Sequence, residues 1–150
     1  MDKEMLTIVD YGMGNIGSIK NMFIKAGATK IIVTSDPEEI VQADRLVLPG
    51  VGHFKNGIEN IDRRNLRQAI DLAVLKNRVP ILGICLGMQL LGDSSEEGEG
   101  RGLGLIEGNV MELKANDNDR LKVPHMGWNF INPKESCGLF ENLDIDSRFY

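Results

Sequence analysis

The chain has 150 residues, of which 42% are hydrophobic and 26% charged, and this composition is typical of one globular domain with a sizeable core. The formal net charge of -5 and the scattered basic residues argue against a nucleic-acid-binding surface. Two cysteines without a spaced Cys/His cluster argue against a zinc site and a disulfide scaffold, and they fit a reducing compartment. Because no apolar run approaches the ~20 residues of a membrane span and no signal-peptide pattern opens the chain, we expect a cytoplasmic protein without a membrane partner.

The first half of the chain alternates short apolar segments with amphipathic ones. Strands are predicted at Met5–Asp10, Lys30–Thr34, Arg45–Leu48 and Val79–Ile84, and helices from Ile16 to a stop at Gly27, from Ser35 to Glu39, and over about Lys55 to Asn77. This alternation predicts an α/β fold, a doubly wound and mostly parallel sheet with helices on both faces.

The second half has a different texture, polar and rich in glycine. Gly92–Gly100 is predicted to be a surface loop. Leu105–Leu113 and Lys122–Phe130 are predicted to form shorter strands, Gly138–Leu143 a helical turn, and Arg148–Tyr150 the beginning of a further strand. The sequence therefore predicts a single domain over residues 1–150 that is incomplete at its C-terminal end.

Cys85 occupies the apex of a predicted strand–turn–helix segment, Val79–Leu91. Glycines two residues before it and two after it allow a cramped backbone that a Cβ would obstruct. The start of a helix favours the reactive thiolate, and the N–H of Leu86 can donate to an oxyanion on an attacked carbonyl. The pattern predicts a nucleophile elbow with cysteine in place of serine. The alternative is that Cys85 is simply a small buried residue.

The loop Pro49–Gly52 follows the third predicted strand, at the same sheet edge as the elbow. Its two glycines leave backbone N–H groups able to point at a ligand oxygen. We therefore expect Gly52 and Leu86 to form an oxyanion hole beside Cys85, although a plain turn would carry the same residues. His53 adjoins the loop and is more typical of a surface residue than of a base.

A second glycine-rich loop, Gly12–Gly17, matches G-x-G-x-x-G and has Asp36 about 20 residues further on. This spacing is found in dinucleotide sites. Asp36, however, falls in a Ser-Asp-Pro helix start, where capping the helix explains it better than a ribose contact. Dinucleotide binding is therefore the weaker alternative.

Several segments in register resemble the class I, or triad, glutamine amidotransferases, and among them the glutaminase subunits of imidazole glycerol phosphate synthase in histidine biosynthesis. They are Asp10–Ser18, Pro49–Phe54, Gly83–Leu91, Ser94–Gly98, Gly102–Ile106 and Pro124–Asn129. The resemblance covers essentially the whole chain. It implies that Cys85 attacks the side-chain amide of glutamine to give a glutamyl thioester and ammonia, with no cofactor or metal.

The resemblance also implies roles for five other residues. Gly50, Gln89 and Glu97 match positions that hold the glutamine substrate. Asn15 and Trp128 match loops that face a (β/α)8-barrel synthase partner, which receives the ammonia. From residue type alone, Trp128 is equally typical of a core aromatic.

One feature of the family has no counterpart in these residues. A catalytic cysteine of this kind needs a base oriented by an acid, which the family supplies from a His-Pro-Glu segment near the end of a longer chain. His53 and His125 are the only histidines, and each matches a non-catalytic position. We therefore expect a truncated domain with a nucleophile but negligible glutaminase activity alone. A subunit supplying another acceptor, such as a sugar-nucleotide pathway, and a non-catalytic partner-binding fragment remain as alternatives.

Overall fold

A computed structural model describes residues 4–114, 123–133, 138–140 and 146–149 of the chain. Its contacts divide the chain into two units, Met1–Glu112 and Leu113–Tyr150. The first unit carries nearly all of the regular structure.

The first unit is built on a four-stranded sheet whose neighbouring strands are all parallel, in the order β2-β1-β3-β4. This confirms the predicted α/β class. The elements in chain order are β1 (Leu6–Val9), α1 (Ile16–Lys25), β2 (Ile31–Thr34), α2 (Pro37–Val41), β3 (Arg45–Leu48), α3 (Phe54–Arg63), α4 (Leu66–Asp71), a π-helical segment (Leu72–Lys76), β4 (Ile81–Gly83) and α5 (Leu86–Leu90).

One face of this sheet carries the main core. Ile8 pairs with Val47, so the side chains of the residues that follow them, Val9 and Leu48, lie together on this face, and both are fully buried. They pack in one cluster with side chains from α2 to α5, among them Ile40, Phe54 and Leu86. This cluster lies directly beneath the loops that follow β3 and β4.

The opposite face is covered by α1. Ile8 and Val47 alternate with the core-facing residues and are buried on this side, outside the main cluster. Ile19 and Phe23 of α1 are half-buried and line a groove together with Ile84, which follows β4. Helices therefore lie on both faces of the sheet, as predicted.

The predicted helix stop at Gly27 and the predicted cap at Asp36 both lie at helix ends, whereas the cap at Asn15 was not predicted. Asn15 caps α1 by accepting from the Ser18 N–H at 3.1 Å, and Gly27 follows the helix with φ +94°. Asp36 caps α2 by accepting from the Glu38 N–H at 2.9 Å. The cap accounts for Asp36 without a ribose contact.

The long helical region predicted over about Lys55 to Asn77 is helical, but it is divided into α3, α4 and the π-helical segment. Asn65 has φ 57°, in the left-handed region that asparagine tolerates, and it separates α3 from α4. The turn lets Leu66 and Ile70 reach the core, where both are fully buried. Packing therefore outweighs the helical continuity that the sequence pattern suggests.

The predicted loop after Leu91 contains a short strand. β5 (Ser94–Ser95) pairs in parallel with β6 (Asn109–Val110), which is the only strand found in the predicted Leu105–Leu113 segment. Asp93 holds the pair together, because its backbone N–H donates to the Gly108 carbonyl and its carboxylate accepts from the Gly108 N–H. These long-range bonds stabilise a pairing that local composition does not indicate.

In the second unit, β7 (Asn129–Phe130) pairs antiparallel with β8 (Arg148–Phe149), and Gly138–Phe140 forms a 3₁₀ turn. The Arg148 guanidinium lies 4.8 Å from the centre of the Phe130 ring, a cation–π contact across the pair. Phe140 meets Phe149 edge to face, with ring centres 6.0 Å apart.

The predicted strand at Arg148 and the predicted helical turn from Gly138 are confirmed for their described residues. Among the described residues of the predicted Lys122–Phe130 segment, only the last two form a strand. Lys122, residues 141–143, Tyr150 and Cys137 lie outside the described residues.

Within the described ranges, no helix is long and apolar enough to cross a membrane. The same ranges hold no group of three or more His, Cys, Asp or Glu side chains able to bind a metal ion.

Candidate active site

Cys85 lies between β4 and α5 with φ 52° and ψ -116°, and its side chain is exposed. An L-residue rarely adopts this conformation, which typically costs about 1–3 kcal/mol and persists only where the surroundings impose it. The exposure excludes the alternative of a small buried cysteine. The geometry is that of the predicted elbow, with the sulfur presented at its apex.

The two glycines around Cys85 are required by close packing. A Cβ on Gly83 would lie 2.5 Å from the Cα of Met88, in the first turns of α5. A Cβ on Gly87 would overlap the carbonyl oxygen of Leu48 in β3. Helix α5 therefore packs closely against the ends of β3 and β4, and the elbow lies close to the loop that follows β3.

The Pro49–Gly52 loop contacts the elbow. A Cβ on Gly50 would be 3.0 Å from the backbone nitrogen of Gly87, and Gly52 has φ +112°. In the described part of the chain, the N–H groups of Gly50, Gly52 and Leu86 have no hydrogen-bond acceptor. Unpaired donors beside an exposed nucleophile are what an oxyanion hole requires.

Tyr11, which follows Asp10 in the chain, forms a hydrogen bond to the Pro49–Gly52 loop. Its hydroxyl donates to the Pro49 carbonyl at 2.5 Å, and its side chain is fully buried. Burial raises the pKa of Tyr11 well above its ordinary value, and the nearby Cys85 adds to the effect. Sequence reasoning treated Tyr11 only as a loop residue, because nothing in local spacing indicates a partner 38 positions away.

Gln89 and Glu97 line one cavity of about 430 Å³, together with Ser95, Glu96, Val110, Met111 and Glu112. Gln89 lies one helical turn beyond Cys85, and its N–H donates to the Cys85 carbonyl at 3.2 Å. Cys85 itself is not among the lining residues. The structure therefore brings together the two side chains predicted to hold substrate and places their cavity one turn from the thiol.

The Glu97 carboxylate links this cavity to the start of α3. Its Oε2 accepts from the Phe54 N–H at 3.0 Å, and the Glu97 N–H donates to the Ser95 hydroxyl at 3.1 Å. The other carboxylate oxygen makes no hydrogen bond within the described residues. One oxygen orients the side chain, and the other is able to accept from a ligand.

Arg67 holds the far end of the loop that carries Glu97. Its guanidinium donates to the carbonyls of Gly102 at 2.7 Å and Arg101 at 3.1 Å. It also forms a two-point ion pair with Asp62, at 2.6 and 3.2 Å. Sequence reasoning missed this contact, which depends on residues 35 apart.

Both histidines have structural partners. His53 begins α3, and its Nδ1 accepts from the Lys55 N–H at 3.3 Å. In the second unit, Nε2 of His125 lies 3.0 Å from the side-chain amide of Asn129. Within the described residues of the first unit, His53 is not hydrogen-bonded to Cys85.

The two residues predicted to face a partner lie in different units. Asn15, in the first unit, is occupied as the cap of α1. Trp128, in the second, is 68% exposed. This exposure disfavours a role for Trp128 as a core aromatic within its own unit.

Comparison with known proteins gives one family. The model of the class-I glutamine amidotransferase family matches residues 7–149. Among curated proteins, "Imidazole glycerol phosphate synthase subunit HisH 2" of Methanococcus maripaludis is 47% identical over 97% of this chain and 71% of its own length. The HisH subunits of Sulfurimonas denitrificans and Salinibacter ruber are also 47% identical over 97% of this chain, and over 70% and 68% of their own lengths. The chain belongs to the class-I glutamine amidotransferase family.

Proposed function

We propose that this chain is the glutaminase subunit of an imidazole glycerol phosphate synthase, acting in histidine biosynthesis. The observation that carries the proposal is the exposed Cys85 on a strained elbow, in a chain similar along 97% of its length to subunits of that synthase.

In the proposed reaction, the Cys85 thiolate adds to the side-chain amide carbon of glutamine, and the carbonyl oxygen becomes an oxyanion. The unpaired N–H groups of Gly52 and Leu86 are the proposed donors to that oxyanion. Collapse of the adduct breaks the C–N bond, and the nitrogen takes up the proton that the Cys85 thiol released and leaves as ammonia. Water then hydrolyses the thioester to glutamate and returns the thiol.

The substrate's amino-acid end is assigned to the cavity beside α5. The Glu97 carboxylate suits the α-ammonium of glutamine, because a carboxylate–ammonium hydrogen bond is charge-assisted. Gln89 can donate to and accept from the polar groups of the same ligand. Gly50 offers an unpaired N–H beside the first residues of α5, and we assign it to the same substrate.

Among the described residues of the first unit, no histidine is hydrogen-bonded to Cys85 as a base, since His53 accepts from the Lys55 N–H instead. Loss of a general base typically lowers turnover by several orders of magnitude. We therefore expect negligible glutamine hydrolysis by these 150 residues alone.

The proposed acceptor of ammonia is a (β/α)8-barrel synthase subunit in the cytoplasm, docked at loops that include Asn15 and Trp128. The names of the relatives as synthase subunits support such a partner. Co-purification with a barrel subunit tests it: Trp128→Ala should weaken the complex, while the exposed Val33→Ala on β2 serves as control. No complex with wild-type chain would contradict this assignment.

The nucleophile assignment is tested by covalent labelling rather than turnover. The chloroketone analogue of glutamine should alkylate Cys85 much faster than Cys137, and free glutamine should slow the reaction at Cys85 only. Peptide mass spectrometry separates the two thiols. Equal labelling of both cysteines, or no protection by glutamine, would contradict the proposal.

A further inference from the structure

The geometry points to Tyr11 as a positioning residue for the oxyanion hole: its hydroxyl fixes the Pro49 carbonyl and thereby the orientation of the loop through Gly52. The inference rests on the proposed assignment of Cys85 and its oxyanion donors. It adds a side chain that touches neither substrate nor sulfur and acts only through the backbone.

The contact joins two neighbouring loops at the C-terminal edge of the sheet. Tyr11 follows β1 and Pro49 follows β3, and these strands are adjacent and parallel. The hydroxyl–carbonyl distance is 2.5 Å, and the tyrosine side chain is fully buried. A short hydrogen bond shielded from water is a strong restraint, because breaking it leaves a buried polar group unsatisfied.

The restraint acts through the peptide plane at the start of the loop that carries the proposed donor Gly52. The Pro49 carbonyl and the Gly50 N–H belong to one peptide group, and they point in opposite directions across it. Holding the oxygen therefore fixes the direction of the N–H. The residues that follow include Gly50 and Gly52, which adopt many backbone conformations at little cost, so an unrestrained loop would sample several N–H orientations.

The packing around Gly50 leaves little alternative space for the hydroxyl. A Cβ at that position would overlap the Tyr11 hydroxyl and lie 3.0 Å from both the Gly87 nitrogen and the Leu86 Cβ. The tyrosine thus holds the loop against the first turn of α5. Because burial raises the pKa of Tyr11, the hydroxyl remains a donor across the pH range of an enzyme assay.

The test compares two reagents at the same thiol. The glutamine chloroketone reacts through an oxyanion at its carbonyl and needs the hole, whereas iodoacetamide reports only on thiolate and access. Tyr11→Phe removes the hydroxyl alone. We expect the ratio of chloroketone to iodoacetamide rate constants at Cys85 to fall about tenfold, the equivalent of about 1.4 kcal/mol for one buried hydrogen bond.

Thr7→Val is the matched control. Thr7 lies on β1 and is fully buried, and its hydroxyl has no hydrogen-bond partner in the described residues. Loss of this hydroxyl should leave the ratio unchanged. If the effect came only from deleting a buried hydroxyl, the ratio of rate constants would fall equally in Tyr11→Phe and Thr7→Val.

Incorporation of p-aminophenylalanine at position 11 restores a donor and should restore the ratio, and circular dichroism checks that each variant is folded. An unchanged ratio in folded Tyr11→Phe, or a lowered ratio in the folded amino variant, overturns the inference. If wild-type Cys85 reacts with iodoacetamide but not with the chloroketone, the proposed function fails, and the inference fails with it.

Discussion

The two sides of the proposed site differ in the groups that form them, backbone groups on one side and side chains on the other. The reaction side, around Cys85, consists of backbone groups from two loops pressed together, with no room for a Cβ at Gly83 or Gly87. The proposed substrate side is a cavity of about 430 Å³ lined by side chains such as Gln89 and Glu97. Changes on the first side should therefore disturb the fold itself, and changes on the second should alter affinity while the fold is kept.

The difference follows from what each side must do. Oxyanion donors must be held within tenths of an ångström, and main-chain N–H groups tied to β3 and β4 meet that requirement. Recognition of an amino acid tolerates side chains on a loop, provided that the loop is anchored. Here the anchors are the Phe54 N–H on Glu97 and the Arg67 guanidinium on the Gly102 carbonyl.

The largest expected effect on the reaction side comes from Cys85 itself. Both Cys85→Ala and Cys85→Gly should abolish chloroketone labelling at this position. Cys85→Gly should be about 1 kcal/mol more stable than Cys85→Ala, because glycine adopts the φ of 52° without strain. Urea denaturation measures the difference, and a less stable glycine variant would show that the elbow is not strained.

The next largest effect is expected for Gly87→Ala, which should lower the free energy of unfolding by about 3 kcal/mol or more. The new Cβ would overlap the Leu48 carbonyl oxygen, and the strand end cannot move aside. Labelling of Cys85 by the chloroketone should be lost in parallel. Urea denaturation and peptide mass spectrometry follow the two properties. Wild-type stability in this variant would contradict the claim that the reaction side has no room for a Cβ at Gly87.

On the substrate side, Glu97→Gln keeps the acceptor for the Phe54 N–H but removes the charge. The chloroketone concentration that gives half the maximal labelling rate should rise about tenfold, with the melting temperature unchanged. Glu99→Gln, in the same loop but outside the cavity lining, is the control. An equal rise in this concentration for both variants would mean that chloroketone binding depends only on the net charge of the protein.

The smallest effect is expected at a glycine of the G-x-G-x-x-G motif. Gly17 lies in α1, its Cβ would meet nothing closer than the Asn15 side chain at 3.9 Å, and its φ is not positive. Gly17→Ala should therefore stabilise the protein by about 0.5–1 kcal/mol, without altering labelling at Cys85. Destabilisation would indicate that the motif is needed for close contact after all.

Much of the site could be predicted from local sequence. The G-x-C-x-G frame between an apolar strand and a helix specified the elbow at Cys85, and the glycines after Pro49 specified the neighbouring loop. Family resemblance selected Gln89 and Glu97, which the structure brings to one cavity. The short β5 strand was missed because it pairs with residues 15 positions away, and a two-residue strand leaves no periodic pattern.

The sequence by itself determined the order of strands and helices, the helix stop at Gly27, the cap at Asp36, and the cysteine at the apex of its turn. These features depend on neighbours a few residues apart, so composition and spacing carry them. Only the tertiary structure decided that Tyr11 holds Pro49, that Arg67 anchors the loop of Glu97, and that the predicted long helix breaks at Asn65. Each of these depends on packing between elements distant in the chain, and such packing outweighs local propensity wherever a buried polar group must find a partner.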